Sequence, residues 1–345
     1  MPVLLPQEQN WLLDTSGDTT LSVPIQTTRP IPQLSIQLVS GDGDVVKQFS
    51  MSDLSPGQFS LTWDGKDDNG HQVPDEAYTF VFQGTDKSGN SFTLDPRQSS
   101  GGELLQDLNT RVLENGHISY QLTKPSRVMI RAGIRGGPLV NSILTWSPRT
   151  TGSNIQAWNG FDHSNVEYLL GNPDLRVLVV AYALPNATVI TTGNPSTDYF
   201  SYRKKRGFPD GEINPEAIVS QRNGQRISPF FFMPVSLAQE PELLFSMKES
   251  PEVNEAGRYV LDKPVTVTVD LSAKDQWLMQ QSQYEISFFV DHKFVAEEET
   301  GYTPLSWRFD PQTAGPGKHV FSINLAGLWG HVGVYSFLFE VPEIK

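Results

Sequence analysis

The chain has 345 residues, is 38% apolar and 10% aromatic, carries a formal net charge of −13 and contains no cysteine. That length gives room for two or three domains of roughly 100–150 residues each. The missing cysteine excludes disulfides, thiolate zinc sites, iron–sulfur clusters and cysteine nucleophiles, and the acidic balance opposes nucleic acid as a partner.

From the N-terminus, Met1 to Leu13 lacks the basic region and long apolar core of a signal peptide. The chain is therefore either cytosolic or a mature form whose signal has been removed. No apolar run reaches the roughly 18–20 residues of a membrane span. Beyond residues 1–20, read as an N-terminal segment, period-2 alternation dominates. Leu34-Ser-Ile36-Gln-Leu38, Tyr78-Thr-Phe80-Val-Phe82, Val265-Thr-Val267-Thr-Val269 and Val320-Phe-Ser-Ile323-Asn-Leu325 all show it. Turn signals separate these runs, among them Gly41-Asp-Gly43-Asp44, Asp68-Asn-Gly70 and Gly315-Pro-Gly317. Short strands at this spacing predict β-sandwiches. Two short helices are expected, around Gly102–Leu108 and over Lys274–Gln281.

The first unit is placed at residues 21–100. Its centre reads Phe59-Ser-Leu61-Thr-Trp63-Asp64-Gly65-Lys-Asp67-Asp-Asn-Gly70-His-Gln-Val73-Pro74, with Tyr78 opening the next strand. Trp63 ends an alternating strand and can plug the core. Asp64, Asp67 and Asn69 can accept from neighbouring amides in Asx-type turns. Gly65 and Gly70 supply backbone angles that other residues resist, and Pro74 sets the entry to the strand of Tyr78. This segment resembles the immunoglobulin-like repeat of the flagellar hook-capping, or FlgD-type, family.

The second unit, residues 101–192, opens with Ile118-Ser-Tyr120-Gln-Leu122 and carries Trp158-Asn-Gly160-Phe-Asp162, which resembles a decayed copy of the first turn. Here Val166–Pro173 replaces the Gly-x-x-Val-Pro segment, so the resemblance implies the fold but not the turn geometry. Residues 193–254 are read as a long irregular connector. The third unit, residues 255–345, holds Val290-Asp291-His292-Lys293, Trp307-Arg-Phe-Asp310 and Gly315-Pro-Gly-Lys-His319. It resembles bacterial Ig-like modules of adhesins and cell-wall proteins, with His292 where glycine is usual. The fold class is thus all-β: three tandem immunoglobulin-like sandwiches, and modules in a row make a spacer.

No Gly-x-Ser-x-Gly elbow, P-loop or His-Glu-x-x-His is present, and the 6 histidines are scattered. No pair among the 39 acidic residues stands out as hydrolytic, so hydrolase is the third-ranked reading and no catalytic residue or cofactor is assigned. Asp42, Asp44, Asp64 and Asp67 offer hard oxygen ligands for calcium; self-satisfied turns explain the same residues. Candidate partner-binding residues lie in the connector: Tyr199, Tyr202, Arg203, Lys204, Lys205, Arg206 and Phe208, with Phe230, Phe231 and Phe232 as a core strand or a docking element between modules. Trp63, Trp158 and Trp307 read as core plugs. Trp146, Trp277 and Trp329 are left as glycan-stacking candidates for an alternative function, a carbohydrate-binding accessory protein. Asn186-Ala-Thr188 matches a glycosylation acceptor. The leading expectation is a non-catalytic structural or interaction protein. It would scaffold, decorate or cap an extracytoplasmic filament, sheath or envelope complex, with other protein subunits as partners.

Overall fold

The computed structural model describes residues 3–4, 10–280 and 283–343. Each of three cores lies between two sheets. In the first sandwich one sheet joins Val3–Leu4, Leu21–Thr27 and Gly57–Trp63. The facing sheet runs in the order Trp11–Asp14, Thr188–Thr192, Ala77–Thr85, Ile31–Val39, Val45–Leu54, with Ser91–Leu94 also paired to Ala77–Thr85. The period-2 pattern explains the layering: Leu34, Ile36, Leu38, Tyr78, Phe80 and Phe82 point inward against Val23, Ile25 and Trp63. Burying a side chain of this size is worth roughly 1.5–3 kcal/mol.

Two boundaries differ from expectation here. Trp11–Asp14 is a strand of the first sandwich rather than part of a separate N-terminal segment, because Leu13 is buried in its core and Trp11 meets Phe80 edge-on. Thr188–Thr192, expected at the end of the second unit, also lies in the first sandwich. It pairs antiparallel to Ala77–Thr85 and parallel to Trp11–Asp14, and Val189 enters the first core. The second sandwich is therefore inserted between two strands of the first.

That second sandwich sets Arg111–Val112, Ile118–Leu122 and Gly152–Gln156 against Ser126–Ile134, Leu139–Arg149 and Leu175–Ala183. Ile118, Tyr120, Val128, Ile130 and Trp158 fill its core. Gly102–Leu108 is not helical. Gly101 and Gly102 both have positive φ, and Glu103 and Leu104 make isolated bridges to Ile227 and Tyr182. A Cβ on either glycine would press within 3 Å of Pro185 or Phe231, so the chain passes too close to its neighbours to coil there.

The third sandwich packs Leu243–Met247, Val265–Leu271 and Leu305–Phe309 against a sheet ordered Tyr259–Val260, Val332–Val341, Gly317–Gly327, Tyr284–Val290, Lys293–Glu298. It begins earlier than the expected residue 255: Leu243 and Met247 are buried at alternating positions of a strand that lies within the range expected for the connector. A helix spans Ala273–Gln280, as expected to within a residue; Gln281 lies outside the described residues. The Asp291-His292 turn has φ of 47° and 65° at its two central residues, the left-handed pair of a type I′ hairpin, here without glycine.

The connector contains one unexpected helix, Tyr199–Arg206. Asp198 caps it by accepting from the Ser201 amide, and Gly207 ends it at φ 71°. The connector also holds the hairpin Gln221–Arg222 with Gln225–Arg226 and single 3₁₀ turns at Pro215–Ala217, Pro229–Phe232 and Val235–Leu237.

Candidate docking interface

The two Trp–Asp turns have the same hydrogen-bond skeleton. Trp63 Nε1 donates to Lys66 O and Trp158 Nε1 to Phe161 O, each at 2.9 Å. Asp67 Oδ1 accepts from the amides of Asn69 and His71; Asp162 Oδ1 accepts from those of Val166 and Glu167. Val73 N donates to Gly65 O, and Leu169 N donates to Gly160 O. Asn165, at φ 56°, stands where Gly70 stands at φ 78°. The expectation that this geometry would be lost in the second unit is overturned. One inserted residue lengthens the loop, and the buried aspartate rebuilds the same amide cradle around it.

The turns differ in what reaches the second carboxylate oxygen. Asp67 Oδ2 accepts from Tyr202 Oη at 3.0 Å and faces Arg206 Nε at 3.4 Å, both from the connector helix. The same helix reaches the neighbouring acidic loop. Tyr199 Oη donates to Asp42 Oδ2 at 2.6 Å and Arg203 Nε to Asp44 Oδ2 at 2.7 Å. Burial first, and the adjacent carboxylates second, push both tyrosine hydroxyls well above their usual range, so they stay neutral donors. Asp162 Oδ2 is buried and receives no hydrogen bond from the described protein atoms.

These contacts place the sequence candidates. Tyr199, Tyr202 and Arg203 are buried within the chain and are not a free partner surface; the acidic loops accept their hydroxyl and guanidinium donors internally. Lys204 and Lys205 are exposed, while Arg206 and Phe208 are half-buried, with the Arg206 guanidinium over the Phe208 ring. Asp42, Asp44 and Asp67 already hold Tyr, Arg and amide donors, and Asp64 Oδ1 accepts from Lys66 N. Asp64 and Asp67 Oδ1 accept from amides of their own turn, as a self-satisfied turn requires, while Asp42, Asp44 and Asp67 Oδ2 are held by side chains and an amide of the distant connector. Of the expected core plugs, Trp63 and Trp158 are buried and Trp307 is half-buried, stacked on Phe288 at 4.8 Å. Trp146 is buried, not a glycan platform; Trp329 is half-buried and Trp277 is 45% exposed. Thr188 of the glycosylation pattern is buried with its hydroxyl against that of Thr79.

Phe230 and Phe231 sit where the sandwiches meet. Phe230 packs on Trp146 of the second sandwich at 4.5 Å, and a Cβ on Gly330 of the third would come within 2.5 Å of its ring. Phe231 lies edge-on to Tyr182, and Phe232 edge-on to Phe231. Several residues that tie the units together have no motif in the sequence. Arg127 Nη2 lies 2.7 Å from Glu76 Oε1, joining the first two sandwiches in a buried pair. Glu240 of the connector accepts from Arg131 and Ser142 of the second sandwich and from the Val332 amide of the third. Asn324 pairs through its side-chain amide with both backbone groups of Leu139, and His292 Nε2 lies 2.8 Å from Glu167 Oε2. The available signal was a charge or amide inside an apolar alternation, as at Arg127, Arg131 and Asn324.

Two clefts flank the Arg127–Glu76 pair. One, of about 510 Å³, is lined by Asp75, Trp146, Arg149, Phe200 and Glu240. The other, of about 600 Å³, is lined by Arg97, Arg127, Tyr182, Glu212, Arg222 and Phe231.

The architecture defines a class: an all-β chain of immunoglobulin-like sandwiches in tandem. Within it, residues 10–88 match the family model of the FlgD Ig-like domain. No functionally curated protein matches the chain. Among solved structures, the chain is similar to FlgD from P. aeruginosa, with 23% identity over 24% of this chain and 61% of that one, at a TM-score of 0.22. It is also similar to a tetra-tandem repeat from the extending region of a large adhesion protein, with 14% identity over 98% of this chain and 73% of that one, at a TM-score of 0.19. A bacterial ice-binding adhesin matches at 11% identity over 97% of this chain and 94% of that one, at a TM-score of 0.18. Among the described residues no helix is long and apolar enough to cross a membrane.

Proposed function

We propose that this chain is a non-catalytic structural protein that holds a fixed spacing within an extracytoplasmic assembly and offers its Ig-like sandwiches as docking faces for other subunits. One observation carries the reading. The connector is spent on joining the sandwiches: its helix seats on the first acidic loop, Phe230 wedges between the second and third units, and Glu240 bonds to both. Three of the carboxylates that line the clefts are committed to structure: Glu76 is paired with Arg127, Glu240 with Arg131 and Asp42 with Tyr199. Cross-linked pull-down from native envelope and secreted fractions tests the proposal. It expects the chain in a defined large complex. Recovery only as a free monomer, or turnover of model glycoside and ester substrates, overturns it.

A further inference from the structure

The first two sandwiches correspond position by position through their hydrogen bonds. Ser40 N donates to Asp44 O and Ile134 N to Pro138 O, so Ser40 and Ile134 hold the same place. One residue earlier, Val39 pairs with Thr79 and Gly133 with Arg176. The inward residues Tyr78, Phe80 and Phe82 of the first sandwich therefore correspond to Leu175, Val177 and Val179 of the second.

Their burial differs. Tyr78, Phe80 and Phe82 are all 0% exposed, whereas Leu175, Val177 and Val179 are only half-buried against their core. The cause is a strand. In the first sandwich the outer edge of Ala77–Thr85 is covered twice, by Ser91–Leu94 over Phe82–Thr85 and by Thr188–Thr192 over Ala77–Thr79. In the second, the equivalent of the first cover exists: Leu105 N donates to Ala181 O and Ala183 N to Glu103 O. The equivalent of Thr188–Thr192 is missing among the described residues. In its place is a groove of about 480 Å³ lined by Val112, Leu113, Leu170, Leu175 and Val177. Because Ala181 and Ala183 turn their backbone groups outward, the period of two turns those of Val177 and Val179 outward as well.

We infer that this groove is a strand-acceptor site, filled by an extended segment of a partner protein that adds antiparallel to Leu175–Val179. Its alternate apolar side chains would enter between the sheets, as Val189 does in the first sandwich. Two observations define the occupant. The vacant position continues the edge already paired by Glu103 and Leu105, so an added strand extends an existing interface. The rim carries two exposed guanidinium groups, Arg111 and Arg176, against the one carboxylate of Glu114 in the lining, while Arg135 is taken by Asp174, so acidic residues on the solvent face of the segment, set beside Arg111 and Arg176, complement it. A second copy of this chain pairing about Arg176 would instead set two guanidinium groups against each other.

This inference rests on the interaction-protein reading, and its test is separate from the native assembly. A displayed library of extended decapeptides is panned on the full chain. The expected binders alternate apolar and acidic residues, and their synthetic forms slow amide exchange at Val177 and Val179 by about tenfold or more. Val112 is already 40% exposed, so Val112→Glu leaves the fold intact and weakens binding about tenfold. The inference is overturned by any of three results: no enrichment, binders that leave those amides unprotected, or concentration-dependent self-association protecting them without peptide. A barren groove in a chain still found within a large complex would sink this site alone.

Discussion

Arg127 Nη2 lies 2.7 Å from Glu76 Oε1, with both side chains almost fully removed from solvent. Arg127 belongs to a strand of the second sandwich and Glu76 to the loop that leads out of the first Trp–Asp turn. Glu76 Oε1 also accepts from the Ala77 amide, and Arg127 Nη1 donates to Trp146 O. A pair this dry is held by geometry, since desolvation offsets much of its attraction.

Removing one member leaves the other charge buried and alone. Arg127→Met is expected to cost about 3–5 kcal/mol, whereas the double change Glu76→Gln with Arg127→Met recovers most of that loss. Urea unfolding of the two variants reads the difference. Equal destabilisation by single and double variants would show that the pair is not coupled.

The two turn aspartates make a matched experiment. Asp67 accepts from two amides and from Tyr202 Oη and faces the Arg206 guanidinium, whereas Asp162 accepts from only two amides, leaving Oδ2 bare. Asp67→Asn is expected to cost about 1–3 kcal/mol, from the charge-assisted hydrogen bond of Tyr202 and the charge of Arg206 beside it. Asp162→Asn keeps its accepting oxygen and should cost clearly less. The reverse ranking in denaturant midpoints would refute the assignment of the connector helix to Asp67.

His292 gives the junction of the second and third sandwiches a pH dependence. Its hydrogen bond to Glu167 raises its pKa above the usual 6.5, against the opposing effect of burial, with Asp291 adding to the rise. A raised folded-state pKa contributes stability that is fully present below the unfolded value and is lost as pH rises through the folded one. Melting temperature is therefore expected to fall as pH increases from about 6.5 upward. Glu167→Gln should flatten that slope; an unchanged slope assigns the titration elsewhere.

Phe230 is the wedge of the junction. Full truncation of a buried phenylalanine costs roughly 3–5 kcal/mol; half-buried Phe230→Ala is expected near the lower end, with faster proteolysis inside the connector. Because the ring packs against Trp146, the variant should also change tryptophan emission. Cleavage rates identical to those of the parent chain would remove Phe230 from this role.

The reach of the sequence is clearest at the turns. The hydrogen bonds that close the first turn, from or to Trp63, Gly65, Asp67 and Gly70, join residues two to eight positions apart, so the turn itself is written locally. The same locality let Asn165 and one extra residue rebuild the turn at Trp158–Asp162, which the changed spelling concealed. The helix Tyr199–Arg206 had its own local marks, Asp198 before it and Gly207 after it, beneath a charge cluster that read as a free surface.

What the sequence by itself determined is the all-β class, the alternating strands, the core tryptophans at positions 63 and 158, and the first turn. Each follows from side-chain period and from hydrogen bonds closed within a few residues. Tertiary structure alone decided that Thr188–Thr192 returns to the first sandwich, that Trp146 is covered, that the basic helix is consumed by Asp42, Asp44 and Asp67, and that the Leu175–Val179 edge is left half-open. The physical reason is that an alternating strand is equally suited to any edge with an apolar face. Which edge it takes is settled by contacts more than a hundred residues apart, such as Val189 with Tyr78.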